Sequence, residues 1–314
     1  MKLVAYIRGG IGDVCPAVSA IKAIVDKNNI SKFDITIITD SVYYFRDNYP
    51  KSFEKTSLDM IHKLTSNVVM VPPWINNNFN LNIDEKTDWF SQENADKNLN
   101  EFMFWRPPSL KEFVRNFIGP ETIFIDSIFT ECIMEWDFEK GKYKRIGKER
   151  GTFEFTPAGL EKKYIDGLFK KYPKNILIHV RKKHGDYGTS PQDEFYTNII
   201  KFCNEKGIMP FVLGAEVNDV KGYFIDLVGV NPMSFEGMAY LIDGCKIMLG
   251  NDSGLTMIKL FQQQKDKLTI INYPSRWDRS PWMVSAIKDK SNHVLLNATE
   301  DNIEDIKKLI GEFK

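Results

Sequence analysis

The sequence predicts an α/β protein built from two Rossmann-like parallel-sheet domains in succession. Three observations predict it. The chain has 314 residues, and one domain commonly takes about 100–200. Short apolar strands alternate with amphipathic helices, the pattern of βα units around a parallel sheet. That pattern starts twice, once at residue 2 and again near residue 175, with a boundary near residues 150–156.

The first start is a buried strand over residues 2–8, because LVAYI is continuously apolar. Gly9, Gly10 and Gly12 break it, and Val14, Ala17, Val18, Ile21 and Ile24 then fall on one helical face. Residues 34–40 and 67–71 read as further strands, the latter after an amphipathic segment at 58–64. Between residues 72 and 154 the periodicity weakens. An Asn-rich loop at 76–82, helical pieces within 98–118 broken by Pro107-Pro108, and aromatic strands within 122–136 are expected there. Residues 140–150 are strongly basic and read as a solvated loop or a phosphate-facing run.

The second start is Thr156-Pro157, an N-cap followed by proline at the first helical position. Leu160, Tyr164, Ile165, Leu168 and Phe169 form the expected inward face of that helix. Strands at 175–180, 209–213, 246–249, 268–272 and 293–296 follow. Helices are expected at 193–206, ended by Gly207, after Ser234, after Gly254, and after Thr299 with Ile303, Ile306, Ile310 and Phe313 inward. The domains are therefore 1–154 and 155–298, with a terminal helix at 299–314 that can cross back to the first domain.

Composition excludes several classes. Lys+Arg and Asp+Glu both total 42, so no global field draws in nucleic acid or an anionic membrane. Cys15, Cys132, Cys203 and Cys245 form no CxxC pair and no zinc spacing. Buried free thiols and a reducing cytoplasm fit them. No secretory leader and no membrane-spanning run are expected from the sequence as it stands.

Ligands of open α/β sheets sit beyond the carboxyl ends of the strands, and four loops there carry chemistry. The first is Gly9-Gly10-Ile11-Gly12-Asp13. Its glycines allow close backbone approach, but an acid at a phosphate loop would repel phosphate, so Asp13 suits an acceptor hydroxyl. The plainer reading makes Asp13 the cap of its helix. The second, residues 181–188, opens with Arg181-Lys182-Lys183-His184, the cationic charge a leaving diphosphate needs. A solvated basic loop is its alternative. The third is Gly214-Ala215-Glu216, and the fourth is Asp252-Ser253-Gly254-Leu255-Thr256 at a helix start, where backbone N–H groups and hydroxyls can hold phosphate or ribose oxygens. Ordinary strand-to-helix turns contain the same residue types.

In order and separation these loops resemble the family 9 glycosyltransferases, the heptosyltransferase group of the GT-B fold. The resemblance rests on Arg8-Gly9-Gly10-Ile11-Gly12-Asp13-Val14 with its apolar helix, on Phe211-Val212-Leu213-Gly214-Ala215-Glu216, and on Asn251-Asp252-Ser253-Gly254-Leu255-Thr256-Met257-Ile258-Lys259, which is similar to the family's NDSGPMHLA. It covers residues 1–72 and 174–298. It implies two Rossmann-like domains facing a cleft, and an inverting sugar transfer without metal from a nucleotide-sugar co-substrate, with no other cofactor. Asp13 would be the general base. Gly10, Ile11 and Gly12 would line the acceptor. Arg181, Lys182, Gly214, Glu216, Asp252, Ser253, Gly254, Leu255 and Thr256 would hold the donor. The sequence holds no Asp-x-Asp pair of the metal-dependent kind. It departs from the family at Met257, where the family has histidine, which leaves the donor sugar and nucleotide open. His179-Val180-Arg181 is also similar to a fucosyltransferase motif, although a strand histidine is more often a hydrogen-bonded core residue.

Two other classes compete. A nicotinamide-dependent dehydrogenase would need a complete GxGxxG, and Cys15 stands at the third glycine position. A non-catalytic sugar-nucleotide or glycan-binding module would not need Asp13. For the acceptor, the aromatic residues 102–105, Trp136 and the basic run suit a phosphorylated bacterial surface glycan such as lipopolysaccharide core. A modified DNA base, flipped out as phage enzymes require, is the alternative. Closure over the donor by a hinge near 150–156 would exclude water.

Overall fold

The computed structural model describes residues 1–7, 11–39, 52–70, 122–129, 132–137, 140, 142–145, 151–180, 193–214, 220–227, 233–251, 253–262, 266–272, 293–296 and 302–313. The expected helical pieces within 98–118, the aromatic residues 102–105 and the Thr299 cap lie outside them. The chain divides into two compact units, Met1–Phe153 with Arg279–Ala286, and Glu154–Asp278 with Ile287–Lys314.

The first unit holds β1 (Lys2–Ile7), α1 (Ile11–Asn28), β2 (Ile35–Thr39), α2 (Ser52–His62), β3 (Val68–Met70), β4 (Thr122–Phe129), β5 (Cys132–Asp137) and β6 (Lys142–Arg145). Its sheet order is β3-β2-β1-β4-β5-β6. The pairs β3/β2, β2/β1 and β1/β4 are parallel, while β4/β5 and β5/β6 are antiparallel. The sheet is therefore mixed, not purely parallel: its parallel core is extended by an antiparallel meander. Leu3 to Ile7 are buried, as expected of a central strand covered on both faces. The basic run departs from the solvated-loop reading. Lys142–Arg145 is an edge strand, with Tyr143 opposite Trp136, and charged edges discourage pairing with other chains.

The second unit holds α3 (Gly159–Lys171), β7 (Asn175–Val180), α4 (Asp193–Glu205), β8 (Met209–Gly214), β9 (Ile225–Asp226), α5 (Phe235–Gly244), β10 (Ile247–Asn251), α6 (Gly254–Phe261), β11 (Leu268–Asn272), β12 (His293–Leu296) and α7 (Ile303–Glu312). Its sheet order is β12-β11-β10-β7-β8-β9, and every pairing is parallel. Counted within the unit this is the 3-2-1-4-5-6 Rossmann order. Successive strand residues face opposite sides. Ile176, Ile178 and Val180 join α4 and α7 in one core, to which Ile306 and Ile310 contribute. Leu177 and His179 therefore point to the other face, where α3 packs on α5 and α5 on α6.

Local signals account for some helix ends. Ser234 caps α5 by accepting from Gly237 N at 3.0 Å. Gly207, at φ +67, ends α4, and Ile208 N returns to Cys203 O at 2.8 Å. Thr156-Pro157 does not cap α3, which starts at Gly159 after Ala158. The Thr156 N–H instead donates to Glu236 Oε2 at 2.8 Å, and Phe155 packs edge-on against Phe235 at 5.9 Å. The stretch before the helix is thereby fastened to α5. Glu161 accepts from Ser234 N and Oγ at 2.8 and 2.5 Å. Of the expected α3 face only Ile165 is buried, and Leu160 is 87 % exposed. Asn302 stands at the N-cap position of the last helix, without a side-chain cap bond.

Cys15, Cys203 and Cys245 are buried and in no disulfide. Burial pushes the Cys203 and Cys245 thiols up to about 12. Lys259 in α6 is 2 % exposed, and its Nζ donates to the carbonyls of Ile242, Asp243 and Cys245 at 2.9, 3.0 and 2.6 Å. It thus satisfies the last carbonyls of α5. Burial, reinforced by nearby Lys267, pushes its ammonium down to about 7 from 10.5. Between those values the unfolded chain binds the extra proton, so raising the pH stabilises the fold. Lys259→Met should cost about 1–3 kcal/mol by orphaning carbonyls. Urea denaturation should show the gap between wild type and variant widening from pH 6 to pH 9.

Candidate functional site

In the second unit the strand order reverses between β7 and β10, the place where open α/β sheets bind ligands. The two strands pair only as far as Leu249 opposite Ile178. Beyond that point β10 continues to Asn251 along β11, opposite Asn272. Asn251, 5 % exposed, closes the gap with its side chain. Its Nδ2 donates to His179 O at 2.7 Å and to Tyr196 Oη at 3.0 Å. Tyr196, on α4, is itself buried.

The turn that follows is built by close contacts. Thr256 is fully buried, and its Oγ1 donates to Asn251 O at 2.6 Å. A side chain at Gly250 would collide with that hydroxyl, so a glycine is needed beneath it. Ser253 is the N-cap residue of α6, with extended φ −158 and ψ 161, yet its hydroxyl makes no bond to the helix's own N–H groups. It faces His179 Nδ1 at 3.0 Å and Thr256 Oγ1 at 3.4 Å. Gly254 and Leu255 complete the first turn, and both are half-buried. The amino end of α6 thus opens at the carboxyl edge of the sheet without a serine cap.

On the other side of β7 stands Gly214, the last residue of β8, at φ +129. Any Cβ there would strike the Val180 carbonyl and lie 3.1 Å from His179 Cδ2. His179 is consequently held at its carbonyl by Asn251, at its ring nitrogen by Ser253, and at its ring edge by the approach of Gly214. The expectation of a hydrogen-bonded core histidine is met, since His179 is 6 % exposed. Its partner, however, belongs to the motif turn.

Of the expected donor residues, the structure gathers Gly214, Ser253, Gly254, Leu255 and Thr256 at the ends of β8 and β10. Arg181, Lys182, Glu216 and Asp252 lie outside the described residues, directly after β7, β8 and β10 in the chain. Met257, at the family's histidine position, is 4 % exposed and belongs to the core. The reading of the motifs left Asn251 and Tyr196 out of the site and His179 in the core. An amide ending an otherwise apolar strand was the available signal.

In the first unit the reversal lies between β1 and β4, and Gly9 to Asp13 follow β1 there. Gly9 and Gly10 lie outside the described residues. Ile11 and Gly12 are the first two residues of α1, and Asp13 is the third. Asp13 is therefore within the first turn, past the N-cap position, because α1 starts earlier than the apolar spacing indicates. Pro16, inside the helix, has no N–H to give the Gly12 carbonyl.

Two α/β units in one chain, each with a strand reversal in its sheet, are the architecture of the GT-B fold, which glycosyltransferases share. The chain has the fold of the family 9 members of that class. A family 9 glycosyl transferase from Veillonella parvula DSM 2008 is 12% identical, with a TM-score of 0.53 over 100% of this chain and 92% of that one. The E. coli heptosyltransferase WaaC, determined with ADP-2-deoxy-2-fluoro heptose, is 12% identical, with a TM-score of 0.52 over 100% of this chain and 98% of that one. The E. coli ADP-heptose LPS heptosyltransferase II is 11% identical, with a TM-score of 0.51 over 99% and 98%. No protein-family model and no curated protein matches the chain. Among the described residues no helix is long and apolar enough to cross a membrane.

Gly214→Ala should cost about 2–4 kcal/mol, since it meets both positive φ and the Val180 carbonyl. Gly207→Ala, with open space around its Cβ, should cost only about 1 kcal/mol. Thermal unfolding of the two variants side by side checks the difference.

Proposed function

We propose that the chain is a glycosyltransferase that moves a sugar from a nucleotide-sugar donor to a hydroxyl acceptor, with inversion and without a metal. The observation that carries this reading is the amino end of α6. It opens at the strand reversal of an all-parallel sheet, and its serine hydroxyl is held away from its own N–H groups. Unsatisfied N–H groups and the helix dipole favour a diphosphate there. The family 9 fold neighbours, one determined with an ADP-sugar analogue, support the same reading.

In this proposal Gly214, Glu216, Asp252, Ser253, Gly254, Leu255 and Thr256 hold the nucleotide sugar, and Arg181 and Lys182 neutralise its diphosphate. Gly10, Ile11 and Gly12 line the acceptor. The acceptor oxygen bonds to the anomeric carbon as the bond from that carbon to the diphosphate oxygen breaks. The acceptor proton passes to the Asp13 carboxylate, and the nucleoside diphosphate departs with the bonding pair. Positive groups at the leaving oxygen lower this barrier because charge accumulates there in the transition state. A bacterial surface glycan such as lipopolysaccharide core is the acceptor that the basic edge strand and the fold likeness to the E. coli ADP-heptose LPS heptosyltransferase II favour. With Met257 buried in place of the family's histidine, the donor is to be identified by screening.

A thermal-shift panel of nucleotide sugars identifies the donor, because a ligand at about 100 times its Kd adds about 2.7 kcal/mol. With that donor, Asp13→Ala should lower kcat by about 10²–10⁴-fold and leave donor affinity unchanged. Full activity in the variant would remove Asp13 as the base. Turnover should be the same with and without EDTA.

A further inference from the structure

Serine caps a helix because its oxygen accepts from an N–H two or three residues on. Ser234 does this for α5 at 3.0 Å from Gly237 N. Ser253, in the same place before α6, does not. Its Oγ lies 3.0 Å from His179 Nδ1 and 3.4 Å from Thr256 Oγ1. Thr256 gives its own proton to Asn251 O at 2.6 Å, so toward Ser253 it offers only lone pairs. Which atom holds the proton between Ser253 and His179 then decides what the serine presents to a ligand.

We propose that His179 is a positioning residue for the donor diphosphate: its Nδ1–H donates to Ser253 Oγ and turns the serine proton outward to a phosphate oxygen. The inference rests on the donor reading above and adds to it a residue and a tautomer. With Nδ1 bare, Ser253 would donate into the ring and turn only lone pairs to an anion that itself only accepts. With Nδ1 protonated, the serine donates to the phosphate, and hydrogen bonds to ionised acceptors are among the stronger ones. The same contact keeps Ser253 from capping α6, leaving the first-turn N–H groups to the ligand. The surroundings fix the ring for this task. Asn251 holds the His179 carbonyl at 2.7 Å, and Gly214 leaves just the space that the ring edge occupies.

Isothermal titration of the full chain with UDP, GDP and ADP, together with nitrogen NMR of its histidines, tests this. Asparagine can set an amide nitrogen, which only donates, in the place of Nδ1. His179→Asn should bind the preferred diphosphate within about threefold of wild type, whereas His179→Leu should bind it about tenfold or more weakly. In turnover the leucine variant should raise the donor KM more than it lowers kcat. The His179 signal, assigned by its loss in the asparagine variant, should report a protonated Nδ1. Equal weakening in both variants, unchanged affinity in both, or a bare Nδ1 would overturn the proposal while leaving the donor reading intact. If wild type binds none of the three diphosphates, the donor reading falls and this inference with it. Should the leucine variant fail to fold, the asparagine affinity and the tautomer still decide.

Discussion

One amide holds the candidate site together. Where β7 and β10 part company, the backbone ladder can no longer join them, and the Asn251 side chain takes over by donating to the His179 carbonyl. A strand reversal needs such a bridge, because the crevice that admits a ligand is a place where neighbouring backbones stop pairing. Buried backbone acceptors left there without donors would be expensive. Asn251 answers the need with a group that also reaches Tyr196 on α4. The helix on one face, the two strands, and the turn leading into α6 on the other face are therefore linked through a single residue.

Steric constraints complete what that bond begins. Gly250 lets the Thr256 hydroxyl reach back to the strand end, and Gly214 lets the end of β8 approach β7. Neither glycine is a hinge. A methyl group would strike the Thr256 side chain at the first and the Val180 carbonyl at the second, opening the network around His179. Among the described residues the site's order comes from close packing of short polar side chains. Within the described part, His179, Asn251, Ser253 and Thr256 carry it.

The architecture was largely legible because parallel strands buried on both faces leave continuous apolar runs, as in Leu3 to Ile7 and Ile176 to Ile178. Helix ends were legible where the signal was local, as at Ser234 and Gly207. They were misread where tertiary contacts intervened. Thr156 looks like a cap, but its N–H is drawn to Glu236, eighty residues on. The edge strand β6 was hidden because lysine and arginine on an edge strand read as loop. The motif turn was recognisable from its residue types, but the engagement of Ser253 with a histidine on another strand is a three-dimensional fact with no spacing to betray it.

Lys259 is a side chain on which its neighbours depend. The motif this turn resembles, NDSGPMHLA, has alanine at that place, whereas here one ammonium gathers three carbonyls at the end of α5. Alanine at position 259 would leave those buried carbonyls without that donor. The smaller residue therefore cannot be exchanged in singly: a second donor reaching the end of α5 would have to come with it.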